Sequence, residues 1–278
     1  MRNDPDLSFA RFLRYYERMV FKMAKTEYGL QMYSLRDITK DSMRMALEKV
    51  AAMGYKYVEF AGFFDYMPEQ IKLWLDEFGL VCSGTHTGMG AITPEAIDET
   101  IRYHKIIGCD NLIVPGCDWS TPEKAQGVID GLNFAQKKLA ENGIRLGYHN
   151  HSREFFPNAC GIVFEDKVKA ETSVELEIDT WWAFNAGLDV IKFLEENKAR
   201  IRVIHLKDGI PSAPECKNFD HVHDGVKGLS VGSGKNIIPE IVAWANANNV
   251  LMVIESEGLD PTGLEEVGRC IEYLRTLD

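Results

Sequence analysis

The chain has 278 residues, with 31 basic and 42 acidic side chains and a formal net charge of −11 at pH 7. Its 45% hydrophobic and 26% charged residues are ordinary for a globular protein in water. The acid excess argues against a partner such as duplex nucleic acid, but a small anionic substrate could still bind at a locally positive site.

The sequence contains no membrane or secretion signal. No apolar run approaches the roughly 20 residues that a transmembrane helix needs. The first twenty residues interleave charged and apolar side chains, unlike the apolar stretch of a secretory signal. The six cysteines are dispersed and form no C-x-x-C pair, which argues against thiolate zinc and a disulfide framework. The sequence therefore predicts a cytoplasmic protein without a membrane partner.

The N-terminal segment from Asp6 to Lys25 repeats apolar residues with helical periodicity. It precedes the alternating part of the chain, so residues 1–27 are predicted to form an added helical extension. This helix is expected to pack on the body of the protein or on a second copy in a homo-oligomer.

From Tyr28 onward, short β-rich runs alternate with helix-like stretches. The predicted strands are Gly29–Ser34, Lys56–Ala61, Leu80–His86, Asn111–Gly116, Arg145–Asn150, Val174–Asp179, Ile201–Asp208 and Leu251–Glu257. The predicted helices are Asp41–Met53, Pro68–Phe78, Pro94–Ile107, Pro122–Glu141, Ile162–Ala170, Leu188–Asn197, Ile237–Asn248 and Gly263–Leu277. This alternation predicts an α/β fold, a (β/α)₈ TIM barrel over residues 28–278. An open doubly wound sheet is disfavoured because no G-x-G-x-x-G follows the first strand, and Gly232–Lys235 lacks the spacing of a phosphate-binding P-loop.

Polar side chains gather where the predicted strands end. In a TIM barrel these ends face the active site, and successive side chains of a strand point to opposite faces. On the later strands, apolar residues fit the outward register and ionisable residues the inward one. The inward residues are His149, His151, Glu177, Asp179, His205, Lys207 and Glu255, and Glu59 and His86 end the second and third strands.

Several buried carboxylates at one place are costly unless a cation neutralises them. Carboxylate and imidazole donors without a thiolate suit a divalent metal ion, with Mn²⁺ favoured over Mg²⁺, Co²⁺, Fe²⁺ or Zn²⁺. Glu175 and Glu257 could instead pair with Lys or Arg. His104, His221 and His223 lie on helix or loop stretches and are expected to be surface groups.

The ordered motifs resemble those of a known family. They are Gly29–Arg36, Gly54–Glu59, Gly147–His151, Glu177–Trp182, Arg202–Asp208, Val231–Gly234 and Ile254–Glu255. Together they resemble the xylose isomerase-like TIM-barrel family of sugar phosphate isomerases and epimerases, and the resemblance covers about nine-tenths of the chain.

Members of that family commonly hold a divalent metal with Glu, Asp, His and Glu from strands five to eight. The resemblance implies Asp179, His205 and Glu255 as three of the ligands. The usual strand-five glutamate aligns with His149, so either His149 replaces it or Glu154 reaches back from the following loop. Glu154 is favoured because a further carboxylate balances the metal charge, and the HNH-x-x-E spacing recurs in a subset of relatives.

The resemblance and the inward register together predict a sugar isomerase or epimerase that moves a proton next to a carbonyl, through an enediolate. The expected proton carriers are His149, His151 and Glu255, with Lys207 as electrostatic partner of the oxyanion. The expected substrate contacts are Glu59, His86 and Trp182. Trp182 stands where many relatives have a histidine, and it could stack on a sugar ring or pack as a rim aromatic.

Three other functions stay open. The same metal and base could eliminate the aglycone of a 3-keto-glycoside, which would make the protein a lyase. A non-catalytic sugar-binding barrel subunit is a second alternative. The related endonuclease IV enzymes act on abasic DNA, but they need more metal ligands and a basic surface than this chain of charge −11 offers.

Overall fold

The computed structural model describes residues 26–278. The predicted helix Asp6–Lys25 lies outside that range, and the division into residues 1–27 and 28–278 stays a prediction. Within the described range, no helix has both the length and the apolar character needed to cross a bilayer.

Strands and helices alternate along the chain. The strands are β1 (Gly29–Gln31), β2 (Tyr57–Phe60), β3 (Val81–His86), β4 (Asn111–Val114), β5 (Arg145–His149), β6 (Glu175–Asp179), β7 (Val203–Leu206), β8 (Asp208–Ile210), β9 (Lys227–Leu229) and β10 (Leu251–Ile254). The α-helices are α1 (Thr39–Met53), α2 (Pro68–Phe78), α3 (Ile97–Ile107), α4 (Pro122–Ala140), α5 (Phe164–Glu171), α6 (Thr180–Ala186), α7 (Val190–Asn197), α8 (Ile238–Asn248) and α9 (Gly263–Leu274).

Eight strands close into a parallel barrel in the order β1-β10-β7-β6-β5-β4-β3-β2. The predicted (β/α)₈ barrel is therefore confirmed. Outward-facing residues such as Leu30, Val58, Leu146 and Ile204 are fully buried in the apolar core that the strands share with the helices. The opposite register leaves the polar residues of the same strands inside the barrel, as the alternation predicts.

All eight barrel strands are shorter than the sequence predicts, and two of them are shortened by another element. β1 ends at Gln31 because Met32–Leu35 forms a 3₁₀ turn, and the side chain of Gln31 accepts a hydrogen bond from the Tyr33 amide at its start. The predicted strand Ile201–Asp208 becomes two elements, β7 and β8, and β8 leaves the barrel to pair with β9 in an antiparallel hairpin.

Helix α6 is absent from the sequence predictions. Asp179 ends β6 and accepts a hydrogen bond from the Trp182 amide through its side chain, so the last strand residue is also the helix N-cap. The aromatic run after Asp179 therefore turns back over the barrel mouth as a helix and brings Trp182 next to the strand ends.

The glycine-rich segment Gly232–Lys235 does not form a phosphate cradle. The carboxylate of Asp208 accepts hydrogen bonds from the amides of Gly232, Gly234 and Asn236 at 2.9–3.0 Å. Because Asp208 already occupies these amides, the segment serves to fix the loop after the β8–β9 hairpin.

The expectation that His104 is a surface group is wrong. It is 1% exposed, and its Nε2 lies 2.7 Å from Thr85 Oγ1 because this face of α3 packs on β3. His221 is exposed as expected, whereas His223 is only partly exposed and lies against Trp182.

Candidate metal centre

Four side chains from adjacent strands converge inside the carboxyl end of the barrel. His149 and Asp179 are the last residues of β5 and β6, His205 lies on β7, and Glu255 directly follows β10. Each offers a ligand atom within 4.8 Å of the others. The strand register explains the convergence, because Asp179 stands beside His205 in the pairing of β6 with β7.

The donors of this group fit a divalent cation. Asp179 is fully buried; its Oδ1 accepts the Trp182 amide, but its Oδ2 accepts no hydrogen bond from residues 26–278. Burial raises the pKa of Asp179 to about 7, since desolvation disfavours the charged carboxylate. A bound cation would reverse that penalty. Two carboxylates and two imidazoles are a donor set for Mn²⁺, Fe²⁺, Co²⁺ or Zn²⁺.

Glu154, the favoured strand-five ligand, lies apart from this group. Its Oε2 accepts the His151 amide at 3.1 Å, and its Oε1 lies 3.4 Å from the Tyr148 hydroxyl. Among the described residues, His149 stands in the group instead. The short 3₁₀ turn Arg153–Phe155 directs the Glu154 side chain back onto the start of its own loop.

A second, deeper group shares two histidines with the first. Its members within residues 26–278 are His86, His149, Glu177 and His205. Glu177 Oε2 lies 2.8 Å from His86 Nε2 and 3.2 Å from His149 Nδ1. Burial would lower the pKa of His86, but Glu59 and Glu177 outweigh it and raise this pKa to about 9.

Glu59 belongs to this deeper layer. It is fully buried, and its Oε1 lies 2.8 Å from His205 Nε2 and 3.1 Å from His86 Nε2. At the carboxyl end of the barrel lies an open pocket, and Glu59 is not among the described residues that line it. The structure thus places Glu59 against His86 and His205, and its role as a substrate contact stays a prediction.

An open pocket of about 490 Å³ lies above the two groups. That volume suits a small polar molecule the size of a monosaccharide. Its walls combine ionisable side chains from the strand ends with loop residues. The lining residues are Tyr33, Ala61, Gly62, His86, Pro115, His149, His151, Glu255 and Glu257.

Lys207 supplies a fixed positive charge beside the pocket. It is 1% exposed, and its Nζ lies 2.7 Å from Glu257 and 3.3 Å from Glu255. Its ammonium also lies 4.6 Å from the centre of a Trp182 ring. Burial would lower the pKa of Lys207, but the carboxylates outweigh it and raise the pKa, so the side chain stays charged.

His151 is the most accessible histidine of the site, with 35% of its side chain exposed. Burial of the ring, together with the nearby Lys207 charge, lowers its pKa to about 3. The ring is therefore neutral at neutral pH, which is the form that a general base needs, and so low a pKa makes it a weak base. It lies 5.0 Å from the His149 ring and 5.8 Å from the Trp182 ring, between centroids.

The two carboxylates left out of the predicted site have basic partners. Glu257 pairs with Lys207, and Glu175 lies 3.2 Å from Arg145 and 3.4 Å from Arg202. Both pairings agree with the alternative given from the sequence, in which Glu175 and Glu257 pair with Lys or Arg.

Three residues of the site, Glu177, Gln31 and His223, were assigned no role in it from the sequence. Glu177 lies in the inward register of β6, so that signal was present. Gln31 donates to Glu59 at 2.6 Å, and only its alternation with Gly29 on a short strand could have indicated it. His223 packs against Trp182, with ring centroids 4.9 Å apart and ring planes tilted by 43°. It comes from a loop without periodicity, so the sequence carried no signal for it.

Comparison with known proteins gives a family match. The family model described as a xylose isomerase-like TIM barrel matches residues 47–276. An inosose dehydratase from Geobacillus kaustophilus is 24% identical over 188 residues, which cover 58% of this chain and 60% of that protein. A 2-oxo-tetronate isomerase from Haemophilus influenzae is 30% identical over 132 residues, which cover 40% of this chain and 51% of that protein. The chain thus spans only about half to three-fifths of the length of these curated relatives.

A solved structure agrees over almost the whole chain. The structure of a sugar phosphate isomerase/epimerase from Parabacteroides distasonis superimposes with a TM-score of 0.70 at 23% identity, covering 91% of this chain and 94% of that one. At this level of identity the match is evidence of the fold alone.

Proposed function

The chain belongs to the xylose isomerase-like TIM barrel family, and from that premise we propose that it is a divalent-metal-dependent sugar isomerase or epimerase. The observation that carries the proposal is the convergence of His149, Asp179, His205 and Glu255 beneath an open pocket of monosaccharide size. The names of the relatives support an enzyme that acts on sugar-like substrates.

We assign the metal ligands to these four residues, with His149 rather than Glu154 from the fifth strand. Mn²⁺ remains the first candidate ion. When bound, a cation held by these residues would supply Lewis-acid stabilisation for negative charge on the oxygens of a sugar substrate. Asp179 and Glu255 would neutralise the ion's charge, and the Asp179 helix cap fixes one carboxylate oxygen in place.

His151 is the proposed proton carrier. Its neutral ring borders the pocket and is the most accessible of the histidines there. It would take the proton from the carbon next to the carbonyl and return it to the neighbouring carbon, which gives isomerisation. Epimerisation would need a second group on the opposite face of the sugar to return a proton to the same carbon. His149 is less suited to this role because it is 1% exposed and its Nδ1 faces Glu177. Glu255 would act mainly as a ligand, since Lys207 lies against it.

Lys207 and Trp182 are proposed to define the side of the pocket where negative charge develops. The Lys207 ammonium is held by Glu255 and Glu257 and cannot easily lose its proton. It therefore acts as an electrostatic partner for an oxyanion and not as a base. Trp182 offers an aromatic edge for the apolar face of a sugar, and His86 borders the pocket from the third strand.

The proposal is tested by loading the metal-stripped protein with Mn²⁺ and supplying a set of free ketoses and ketose phosphates in deuterated water. Exchange of deuterium into the carbon next to the carbonyl, dependent on Mn²⁺, is the expected result. The exchange is read by mass spectrometry, with the Glu175→Gln protein as a matched active control. Metal binding without exchange on any of these sugars would instead favour the non-catalytic sugar-binding subunit.

A lyase is the second candidate. The observation that favours it is the similarity to a dehydratase, together with Trp182 at the place where many family members carry a histidine. The same base could remove a proton next to a ketone and expel a group at the β carbon. Incubation with a 3-keto-glycoside separates the two reactions, because release of the aglycone indicates elimination and an epimerised sugar indicates proton return. A cytoplasmic location and a homo-oligomer remain predictions.

A further inference from the structure

The two nitrogens of His205 face different carboxylates, Glu255 at Nδ1 and Glu59 at Nε2, with Glu177 Oε2 also 3.3 Å from Nε2. Its Nδ1 lies 3.3 Å from Glu255 Oε2, in the proposed metal group, and its Nε2 lies 2.8 Å from Glu59 Oε1, in the deeper layer. A neutral imidazole has one N–H donor and one lone pair. Since a carboxylate oxygen can only accept a hydrogen bond, the contacts to Glu59 and Glu255 together need a proton on both nitrogens. A cation at Nδ1 would replace the Nδ1 proton, and the Nε2 proton would then be the one that Glu59 binds.

The deeper group offers an alternative place for a cation. It shares His149 and His205 with the proposed metal group, and each shared imidazole would have to lose both protons to serve two cations at once. In the deeper group, the carboxylate oxygens Glu59 Oε1 and Glu177 Oε2 already lie at hydrogen-bonding distance from histidine nitrogens. These are hydrogen-bond distances, so the deeper side chains are joined to one another without a cation of their own.

Glu59 is itself held from the opposite side. Gln31 donates to its Oε1 at 2.6 Å, and the Gln31 carbonyl oxygen Oε1 accepts the Tyr33 amide at 3.1 Å. The side chain also needs the glycine at position 84, because a Cβ there would lie 2.9 Å from Glu59 Oε2 and 2.7 Å from Ile113 Cδ1. Residues of β1, β2 and β3 therefore fix one carboxylate oxygen against His205.

We propose that Glu59, anchored by Gln31, is a positioning residue that holds the His205 proton on Nε2, so that Nδ1 presents its lone pair to a single cation among His149, Asp179 and Glu255. The inference rests on the proposed function, since it assumes that this group binds the metal. Carboxylate partners of this kind orient a metal-bound histidine and increase its basicity. The first three strands thereby contribute to a metal site whose ligands all come from β5, β6, β7 and the end of β10.

The test uses the full chain, stripped of metal and titrated with Mn²⁺ by calorimetry. The wild type is expected to bind one equivalent. Glu59→Gln keeps the shape of the side chain but removes its charge, and it is expected to weaken Mn²⁺ binding about 10- to 100-fold. Gln31→Leu, which removes the donor to Glu59, should weaken binding in the same direction by a smaller factor. Glu175→Gln, on β6 but paired with arginines, is the matched control and should bind as the wild type does.

A spectroscopic measurement separates positioning from a general structural effect. With Zn²⁺ as a diamagnetic probe, nitrogen NMR of isotope-labelled histidine should show the His205 proton on Nε2, with Nδ1 shifted by the metal. In Glu59→Gln that Nε2 proton should exchange faster with water, while the signals of histidines away from Glu59, such as His104 and His221, keep their positions. The wild-type spectrum tests the inference even if the variant fails to fold.

Three results would overturn the inference, and they are distinguishable. Binding of two equivalents of Mn²⁺ by the wild type would show that the deeper group holds a cation. Unchanged Mn²⁺ affinity in Glu59→Gln, or a His205 proton on Nδ1, would remove the positioning role and leave the proposed function intact. A wild type that binds neither Mn²⁺ nor Zn²⁺ would remove the proposed metal-dependent function together with the inference.

Discussion

Two buried glutamates of this protein have the same raised pKa but very different surroundings. Glu177 lies inside the barrel, and Glu165 lies outside it, in the first turn of α5. Burial raises the pKa of each to about 7. Glu177 Oε2 faces two imidazoles within 3.2 Å, whereas neither oxygen of Glu165 accepts a hydrogen bond from any residue between 26 and 278.

The difference shows that burial alone does not mark a functional carboxylate. Inside the barrel, each ionisable residue has complementary neighbours or, like Asp179 Oδ2, points into a group of metal-binding donors. Outside the barrel, Glu165 has only the more distant charges of Lys169 and Arg200 to offset its desolvation. The interior carboxylates should therefore matter for metal binding and turnover, and Glu165 for stability alone.

The largest expected effect follows from Asp179→Asn. The amide oxygen keeps the helix cap at Trp182, but the charge that a cation requires is lost. We expect Mn²⁺ affinity and turnover to fall at least about 100-fold. This is more than the roughly 10- to 100-fold loss that is usual when a hydrogen-bond partner of a metal ligand is replaced. Added Mn²⁺ should raise the melting temperature of the wild type and not that of the variant, as measured by thermal unfolding.

Unaltered Mn²⁺ content and turnover in Asp179→Asn would contradict the assignment of the metal group. His205→Ala provides a second ligand test in case the first variant retains partial binding. Glu175→Gln, on the same strand, is expected to leave both quantities unchanged because its arginine partners lie away from the pocket.

His151→Gln should separate proton transfer from metal binding. The variant loses the proton carrier but no proposed ligand, so Mn²⁺ affinity should stay within about twofold while turnover falls about 100- to 10,000-fold. Deuterium exchange at the carbon next to the carbonyl measures the loss directly. The exposed His221→Gln is the matched control. Full exchange in His151→Gln would move the role of base to another residue.

Glu165→Gln should stabilise the protein at neutral and alkaline pH. The folded pKa of about 7 lies above the ordinary 4.5, so the folded state binds more protons than the unfolded state between these values. The wild type therefore loses stability as the pH rises from about 4.5 to about 7, by at most on the order of 3 kcal/mol. Glutamine cannot ionise and should not show this loss.

Chemical denaturation at pH 5 and pH 8 measures this effect. The gain of Glu165→Gln over the wild type should be small at pH 5 and larger at pH 8, with Mn²⁺ affinity unchanged. Glu171→Gln, exposed on the same helix, should show no such pH dependence. An equal gain at both pH values would mean that the carboxyl group of Glu165 does not titrate in this range.

Trp182→Phe should have the smallest effect on catalysis. A phenyl ring keeps an aromatic face beside Lys207 but reduces the area for a sugar and the attraction to the ammonium, which is about 0.5–2 kcal/mol for such pairs. We expect KM to rise a few-fold, with kcat changed less than twofold, in steady-state kinetics. Trp244→Phe, on α8 and away from the pocket, is the control. A loss in kcat alone would assign Trp182 a part in the chemical step.

Much of the fold could be predicted because its signals are local. Alternation of strand and helix patterns identified the barrel, and the period of two along a strand placed Asp179, His205 and Glu255 inward. The end of β1 and helix α6 were missed because both depend on side-chain caps, by Gln31 and Asp179, that a periodic pattern does not show.

The choice between His149 and Glu154 could not be made from the sequence. Both residues carry plausible donor atoms within a few positions of the strand end. In the structure the 3₁₀ turn Arg153–Phe155 leaves Glu154 on the amide of His151, and this is why we propose His149 as the ligand. A turn of this kind is set by tertiary packing.

By itself, the sequence determined the barrel, its inward polar register and most of the ionisable residues at the strand ends. The reason is that hydrophobic alternation is a local pattern, visible in neighbouring residues of one strand. Only the tertiary structure decided how those residues pair. Gln31, Glu59 and His205 come from positions far apart in the chain, and their hydrogen bonds exist only when the barrel closes and brings β1, β2 and β7 to a common interior. For the same reason Glu165, which the sequence does not distinguish from a surface glutamate, is buried only because α5 packs where it does.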